Sequence, residues 1–283
     1  MGYAGTLKNV AKSVLPHGLV MTVLRSPTVR RRRIASLSSR PAHAEREPYS
    51  YRASIEFLCD RGPPRDHVVS GSIPEASLAF CSTYLDGSLP QGRPIVGLHV
   101  GNFLGVSLAY FVDYARRRHQ NSVVVSVDPN LTHRAIDGPQ NHVIAVLNHF
   151  GLQKNAMICV GYSCEKSVSN DGVAVVGVGG IEYDPFAAYA AEQACENSLA
   201  NLCTIWEGRF DFAVMDGNHD SAYLRKETEL VQRLLTHSGA LILDDVADAW
   251  ADIKAEFGKL SVRGWREVGA DGRVGILELP RAS

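Results

Sequence analysis

The sequence lacks the cysteine pattern of a disulfide-rich or zinc-binding domain. Its six cysteines, at positions 59, 81, 159, 164, 195 and 203, include no Cys-x-x-Cys pair, and no secretory signal precedes them. This absence excludes a small secreted scaffold held together by disulfides. It predicts reduced thiols in a cytoplasmic protein.

Long hydrophobic runs and an excess of one charge are missing as well. The most apolar stretch near the start, residues 10–24, is interrupted by Lys12, Pro16 and Gly18, and it falls short of the roughly 20 apolar residues that a membrane-spanning helix needs. The chain has 29 Lys and Arg against 30 Asp and Glu, a net charge of −1, which argues against a dedicated nucleic-acid-binding protein. The hydrophobic share of 45% excludes a wholly disordered chain.

The near-neutral total hides a basic arm at the start. Residues 1–40 carry a charge of +8 with no acidic residue, and they combine a short amphipathic helix (7–15) with an arginine run at 30–33. Two interpretations remain open: peripheral contact with an anionic membrane or glycan carrier, or a solvated arm that packs on another subunit of a homo-oligomer. The first would place the protein at the inner face of the membrane.

From residue 94 the pattern becomes an alternation of strands and helices. Strands are predicted over residues 95–100, 122–127, 156–160, 210–215 and 240–243, and helices over 51–59, 73–85, 106–118, 141–150, 221–235 and 247–257. Such alternation is typical of an α/β, Rossmann-like, doubly wound and mostly parallel sheet. A hairpin over residues 265–279 predicts an antiparallel C-terminal strand.

The predicted elements divide the chain into three parts. Residues 1–40 form the basic arm, 41–93 a linker and helical cap, and 94–283 the main domain. Inside the main domain the connection over residues 164–209 is several times longer than usual, and it is predicted to be a lid with a hairpin at 173–183 and a helix at 185–202.

A turn with two glycines follows the first strand. The segment from His99 to Ser107 contains Gly101 and Gly105 but lacks Gly-x-Gly-x-x-Gly, so we expect a nucleoside cofactor without a diphosphate. Asp128 ends the second strand, where a carboxylate is placed to accept ribose hydroxyls; the alternative is a turn residue before a proline. Ser163, after the third strand, is predicted to lie near a nucleobase.

Acidic residues end the next two strands. Asp216 follows the fourth strand, and Asp244 and Asp245 follow the fifth. Because neighbouring strands lie about 4.8 Å apart, these three carboxylates are expected to converge and to need a cation, for which Mg²⁺ or a similar divalent ion is suited. The alternative is that Asp244 caps the following helix and Asp216 bonds loop amides.

This order of motifs resembles the class I S-adenosylmethionine-dependent methyltransferases, in particular the bacterial branch of small-molecule and sugar O-methyltransferases. The similarity covers residues 94–280; Asn218 departs from it, as does His99, which replaces an acidic residue. The resemblance implies that Gly101, Gly105 and Ser107 line the methionine part of the cofactor, that Asp128 holds the ribose and that Ser163 lies near adenine. The whole predicted cofactor set is His99, Gly101, Asn102, Gly105, Ser107, Asp128, Ser163 and Asp216. The predicted metal ligands are Asp216, Asp244 and Asp245.

The expected reaction is methyl transfer to a hydroxyl of a sugar, glycan or secondary metabolite. His219 is predicted to be the general base, with Asp216 as its substitute, and a divalent ion is expected to lower the pKa of the acceptor hydroxyl. In the alternative interpretation His219 packs under the cofactor or caps a helix. Two other functions stay open: a non-catalytic nucleoside-binding protein of a membrane or glycan-assembly complex, and a hydroxylase-like relative on the same fold.

Overall fold

The computed structural model describes residues 48–166 and 195–279. The predicted basic arm, the predicted hairpin at 173–183 and most of the predicted helix at 185–202 lie outside the described residues. Peripheral membrane contact and self-association through the arm therefore stay predictions.

A seven-stranded sheet forms the centre of the described structure, in the order β3-β2-β1-β4-β5-β7-β6. The strands are β1 (Val96–Val100), β2 (Val123–Asp128), β3 (Ala156–Val160), β4 (Phe210–Met215), β5 (Leu235–Leu243), β6 (Arg266–Ala270) and β7 (Gly275–Glu278). The first five run parallel, whereas β7 pairs antiparallel with both β5 and β6. The predicted Rossmann-like architecture is confirmed.

Helices cover the sheet. They are α1 (Tyr51–Cys59), α2 (Arg65–Ser70), α3 (Glu75–Ser88), α4 (Val106–Arg118), α5 (Gln140–His149), α6 (Ser198–Trp206), α7 (Ser221–Leu234) and α8 (Ala251–Leu260). None of the helices in the described parts of the chain is long and apolar enough to cross a membrane. The sequence did not predict α2. Of the predicted helix at 185–202 only residues 195–202 are described, and within them α6 begins at Ser198.

The two faces of the sheet carry separate hydrophobic layers. On one face, side chains of α1, α3 and α4 such as Leu58, Leu78 and Phe111 pack with Phe212 of β4. On the other face, side chains of α6, α7 and α8 pack with the strand residues that point the opposite way. Because successive strand side chains alternate between faces, this double covering leaves the carboxyl edge of the sheet as the place where polar groups gather.

Candidate active site

The carboxyl ends of the parallel strands meet at one edge, and backbone hydrogen bonds fix their relative positions. The Asp216 N–H donates to the Val100 carbonyl at 2.8 Å, and the Asp244 N–H donates to the Met215 carbonyl at 3.0 Å. These bonds continue the parallel pairing beyond the strands. The residues that follow β1, β4 and β5 are therefore neighbours.

A cavity of about 350 Å³ opens at this edge. Its volume lies in the range of small-molecule sites. Six of the residues singled out from the sequence line it, namely Gly101, Asp128, Ser163, Asp216, His219 and Asp245. Residues that are far apart in the sequence therefore line the same cavity.

In the glycine turn after β1, Gly101 places its own backbone at the cavity wall. Gly101 has a φ of 76°, and a Cβ there would lie 1.9 Å from the Asp216 carbonyl oxygen. Gly105 has a φ of 87° and precedes α4, where a Cβ would lie 3.1 Å from the Val143 Cα. Gly101 therefore allows a close approach at the site, whereas Gly105 allows α4 and α5 to pack.

Asp128 is held at the cavity by two backbone amides. Its carboxylate accepts hydrogen bonds from the Asn102 N–H at 2.8 Å and from the Asn130 N–H at 2.7 Å. Burial raises the pKa of this carboxyl group, against the effect of the amide bonds. The Asn102 side chain points away and donates to the Ser126 hydroxyl at 2.6 Å, so Asn102 contributes to the site through its backbone.

Two residues of the predicted cofactor set face elsewhere. The His99 side chain is fully buried, with its ring 6.1 Å from that of Phe111, because strand alternation turns it into the helical layer. The Ser107 hydroxyl is also buried and accepts a hydrogen bond from the Ile73 N–H at 3.1 Å. In contrast to the prediction, neither side chain lines the cavity: His99 is buried beside Phe111, and Ser107 ties α4 to the segment that precedes α3.

Burial of His99 makes folding stability depend on pH. Desolvation lowers its pKa from 6.5 to about 3, so the unfolded chain binds a proton that the folded chain excludes. We expect the free energy of unfolding to decrease as the pH falls from 6.5 towards 3, with His99 contributing about 1.4 kcal/mol per pH unit. In His99→Phe this part of the slope is absent, as urea unfolding at several pH values will show. The exposed His237 provides the control, because His237→Phe should keep the full slope.

The acids after β5 are paired with an arginine that sequence analysis did not select. Arg273, just before β7, donates to both oxygens of Asp244, from Nε at 2.8 Å and from Nη2 at 2.6 Å. Its Nη1 lies 2.6 Å from Oδ1 of Asp245. Burial, followed by the charges of Asp244 and Asp245, raises the pKa of Asp216 well above its usual value.

His219 completes the polar cluster. Its Nε2 lies 2.7 Å from Oδ2 of Asp245, and its ring lies 4.2 Å from that of Trp250. Asp216, His219 and Asp245 each offer one potential ligand atom, all within 4.8 Å of one another. The cavity therefore holds a histidine and carboxylate pair of the kind that moves protons.

A comparison with protein families identifies the class of protein in which this cavity occurs. The model of a family described as "Methyltransferase domain" matches residues 98–246, which is more than half of the chain and includes the end of β1 and all of β2 to β5. The chain belongs to this methyltransferase family.

Solved structures share the fold of this methyltransferase. The SAH-bound methyltransferase PaMTH1 of Podospora anserina has a TM-score of 0.53 at 14% identity, over 95% of this chain and 99% of that one. Cofactor-bound Rv0187 from MTB has a TM-score of 0.53 at 15% identity, over 88% and 96%. The Bacillus cereus O-methyltransferase in complex with SAH has a TM-score of 0.51 at 12% identity, over 87% and 94%. No curated protein matches the sequence.

The predicted magnesium ligands do not fit such an ion in this methyltransferase. Asp244 gives both its oxygens to Arg273, and only 1% of its side chain is exposed. Its guanidinium partner also occupies Oδ1 of Asp245, and a fixed positive charge within a few ångströms repels a divalent cation. The set that the structure brings together is Asp216, His219 and Asp245, with a nitrogen ligand in place of the third oxygen that Mg²⁺ prefers.

Glu227 of α7 is a further cavity residue of the methyltransferase that sequence analysis missed. It is almost fully buried, and it accepts a hydrogen bond from the Ser163 hydroxyl, which also lies 3.2 Å from the Tyr223 hydroxyl. Burial raises the pKa of Glu227 to about 8. A signal was present, because Glu227 lies one helical turn after Tyr223 on the apolar face of an amphipathic helix, where an acid is unusual.

Proposed function

We propose that this methyltransferase transfers the methyl group of S-adenosylmethionine to a hydroxyl of a sugar, glycan or secondary metabolite. One observation carries the proposal: a single cavity is lined by Gly101 after β1 and Asp128 at the end of β2, and by His219 after β4 and Asp245 after β5. Gly101 and Asp128 suit a nucleoside cofactor, whereas His219 and Asp245 suit the removal of a proton from an acceptor.

The cofactor half of the proposal rests on close backbone approach and on one carboxylate. At Gly101 the absence of a side chain lets the turn after β1 lie directly against the backbone of Asp216, so that main-chain groups of both loops line the cavity. Asp128 keeps acceptor capacity on both oxygens after receiving one amide bond on each, as two ribose hydroxyls require. Ser163 and Glu227 form the cavity wall after β3, where the adenine is proposed to lie.

The catalytic half of the proposal needs alignment and a proton acceptor. When bound, S-adenosylmethionine would supply a sulfonium methyl group that is already activated; its transfer to the acceptor oxygen would break the carbon–sulfur bond, leave S-adenosylhomocysteine and release the hydroxyl proton. His219 takes that proton, and Asp245, 2.7 Å from its Nε2, stabilises the imidazolium that forms. Trp250 lies against the His219 ring and also lines the cavity, which offers an apolar surface for the acceptor.

Asp128 gives the sharpest test of the cofactor half. We expect wild-type protein to bind S-adenosylhomocysteine in isothermal titration calorimetry. Asp128→Asn should bind it about 10- to 100-fold more weakly, because hydrogen bonds to a charged carboxylate are lost or weakened.

The control is Asp66→Asn, whose carboxylate is 83% exposed on α2 and should leave the affinity unchanged. If the folded wild-type protein does not bind S-adenosylhomocysteine, the proposed cofactor is wrong. Equal affinities of wild type and Asp128→Asn would remove the proposed role of Asp128 alone. Binding without any labelled product from fractionated glycans and metabolites would favour a non-catalytic nucleoside-binding protein.

A further inference from the structure

The acidic ends of β4 and β5 already have a cation among them. Arg273 makes a two-pronged contact with Asp244, and its remaining terminal nitrogen reaches Asp245. The carboxylates are 1% and 3% exposed, and the guanidinium is 32% exposed. Since arginine stays charged at every physiological pH, the positive charge here does not depend on a dissolved ion.

Backbone hydrogen bonds fix the position of Arg273. Its carbonyl accepts a hydrogen bond from the Val246 N–H at 2.8 Å, directly after the acidic pair. The Asp271 carboxylate closes the preceding turn by accepting from the Arg273 N–H at 2.9 Å and from the Val274 N–H at 2.8 Å. The antiparallel pairing of β7 with β5 then holds the guanidinium beside the two acids.

The same contacts link Arg273 to the proton-accepting pair. One oxygen of Asp245 is bound by Arg273 and the other lies beside His219. Asp245 also has a φ of 59°, a left-handed conformation that is costly for a residue with a side chain unless its surroundings hold it. Arg273 therefore fixes the carboxylate that orients the histidine.

We propose that Arg273 takes the place of a divalent metal in this active site: it neutralises Asp244 and Asp245, positions Asp245 against His219, and makes methyl transfer independent of metal ions. Arg273 is a positioning residue, since it acts through Asp245. The role assigned to Asp245 and His219 rests on the proposed function, whereas the exclusion of a metal does not.

Manganese binding tests this exclusion without any acceptor substrate. The full chain is freed of metals and titrated with MnCl₂, with free Mn²⁺ followed by electron paramagnetic resonance. We expect wild type to bind Mn²⁺ no tighter than about 1 mM. Arg273→Met should bind at least about tenfold tighter, because the buried carboxylates of Asp244 and Asp245 lose the fixed positive charge that Arg273 holds beside them.

Two variants separate charge from structure. Arg273→Lys keeps a positive charge and should bind Mn²⁺ as weakly as wild type. Arg266→Met removes an exposed arginine of the same hairpin, paired with Glu278, and should also match wild type. If Arg273→Met gains no Mn²⁺ binding while folded by circular dichroism, the proposal is overturned. If that variant does not fold, wild type decides, since micromolar Mn²⁺ binding overturns the proposal and weak binding supports it.

Methyl transfer supplies the second measurement, with labelled methyl donor and fractionated glycans and metabolites as acceptors. We expect EDTA to leave the labelling rate of wild type unchanged. A loss in EDTA that Mg²⁺ or Mn²⁺ restores would overturn the proposal. If no labelled product forms, the proposed function is in question, while the Mn²⁺ titration still decides whether a metal binds.

Discussion

We expect His219→Asn to lower kcat for methyl transfer by about 10²- to 10⁴-fold, the usual contribution of a general base, which is the role proposed for His219. The reason is local: His219 Nε2 lies 2.7 Å from Asp245, so the imidazole is oriented and its protonated form is stabilised. Asparagine keeps polarity but cannot take the proton. The measurement is the labelling rate with saturating S-adenosylmethionine and the acceptor fraction that gives product with wild type.

The affinity for S-adenosylhomocysteine distinguishes loss of the base from loss of the cofactor site. It should stay within about threefold of wild type in His219→Asn, because the proposed cofactor contacts come from the turn after β1 and from Asp128 at the end of β2. His237→Asn, at an exposed position on β5, should retain wild-type kcat. An undiminished rate in His219→Asn would make Asp216 the better candidate for the base, because Asp216 also lines the cavity and burial raises its pKa.

Gly101→Ala should abolish detectable binding of S-adenosylhomocysteine and lower the free energy of unfolding by about 3 kcal/mol or more. The added Cβ would lie 1.9 Å from the Asp216 carbonyl oxygen, at a φ of 76°. The obstacle is backbone, so it cannot rotate away as a side chain could. The β1 and β4 loops would have to separate, and the cavity lies between them.

Calorimetry and urea unfolding measure the two parts of this effect. Gly258→Ala is the matched control, since a Cβ there meets nothing within 4 Å and Gly258 lies inside helix α8. We expect that change to be neutral or to stabilise the protein by up to about 1 kcal/mol. Normal ligand affinity in Gly101→Ala would show that the cofactor does not approach this turn.

Local pattern predicted the elements with strong periodicity. Predicted and observed bounds agree for α1, α4, β3 and β4, where apolar spacing and flanking turn residues point the same way. The local pattern gave wrong predictions where neighbouring residues favoured different structures. The prolines at 63 and 64 suggested a linker, yet Pro64 directly precedes the first turn of α2, a position that proline tolerates. The helix predicted at 247–257 is instead a short 3-10 turn, Asp248–Trp250, followed by α8.

The sequence by itself determined which edge of the sheet carries the chemistry. Gly101, Asp128 and Asp216 each follow or end a parallel strand, and the ends of parallel strands meet wherever the strands pair. Periodicity along the chain is enough for that conclusion.

Only the tertiary structure decided which charges compensate one another. Arg273 reaches Asp244 across 29 residues because β7 pairs antiparallel with β5, and Glu227 reaches Ser163 across 64 residues because α7 packs beside the β3 loop. Such contacts depend on distances between elements and on the burial of both partners. Neither is encoded in the spacing of residues along the chain.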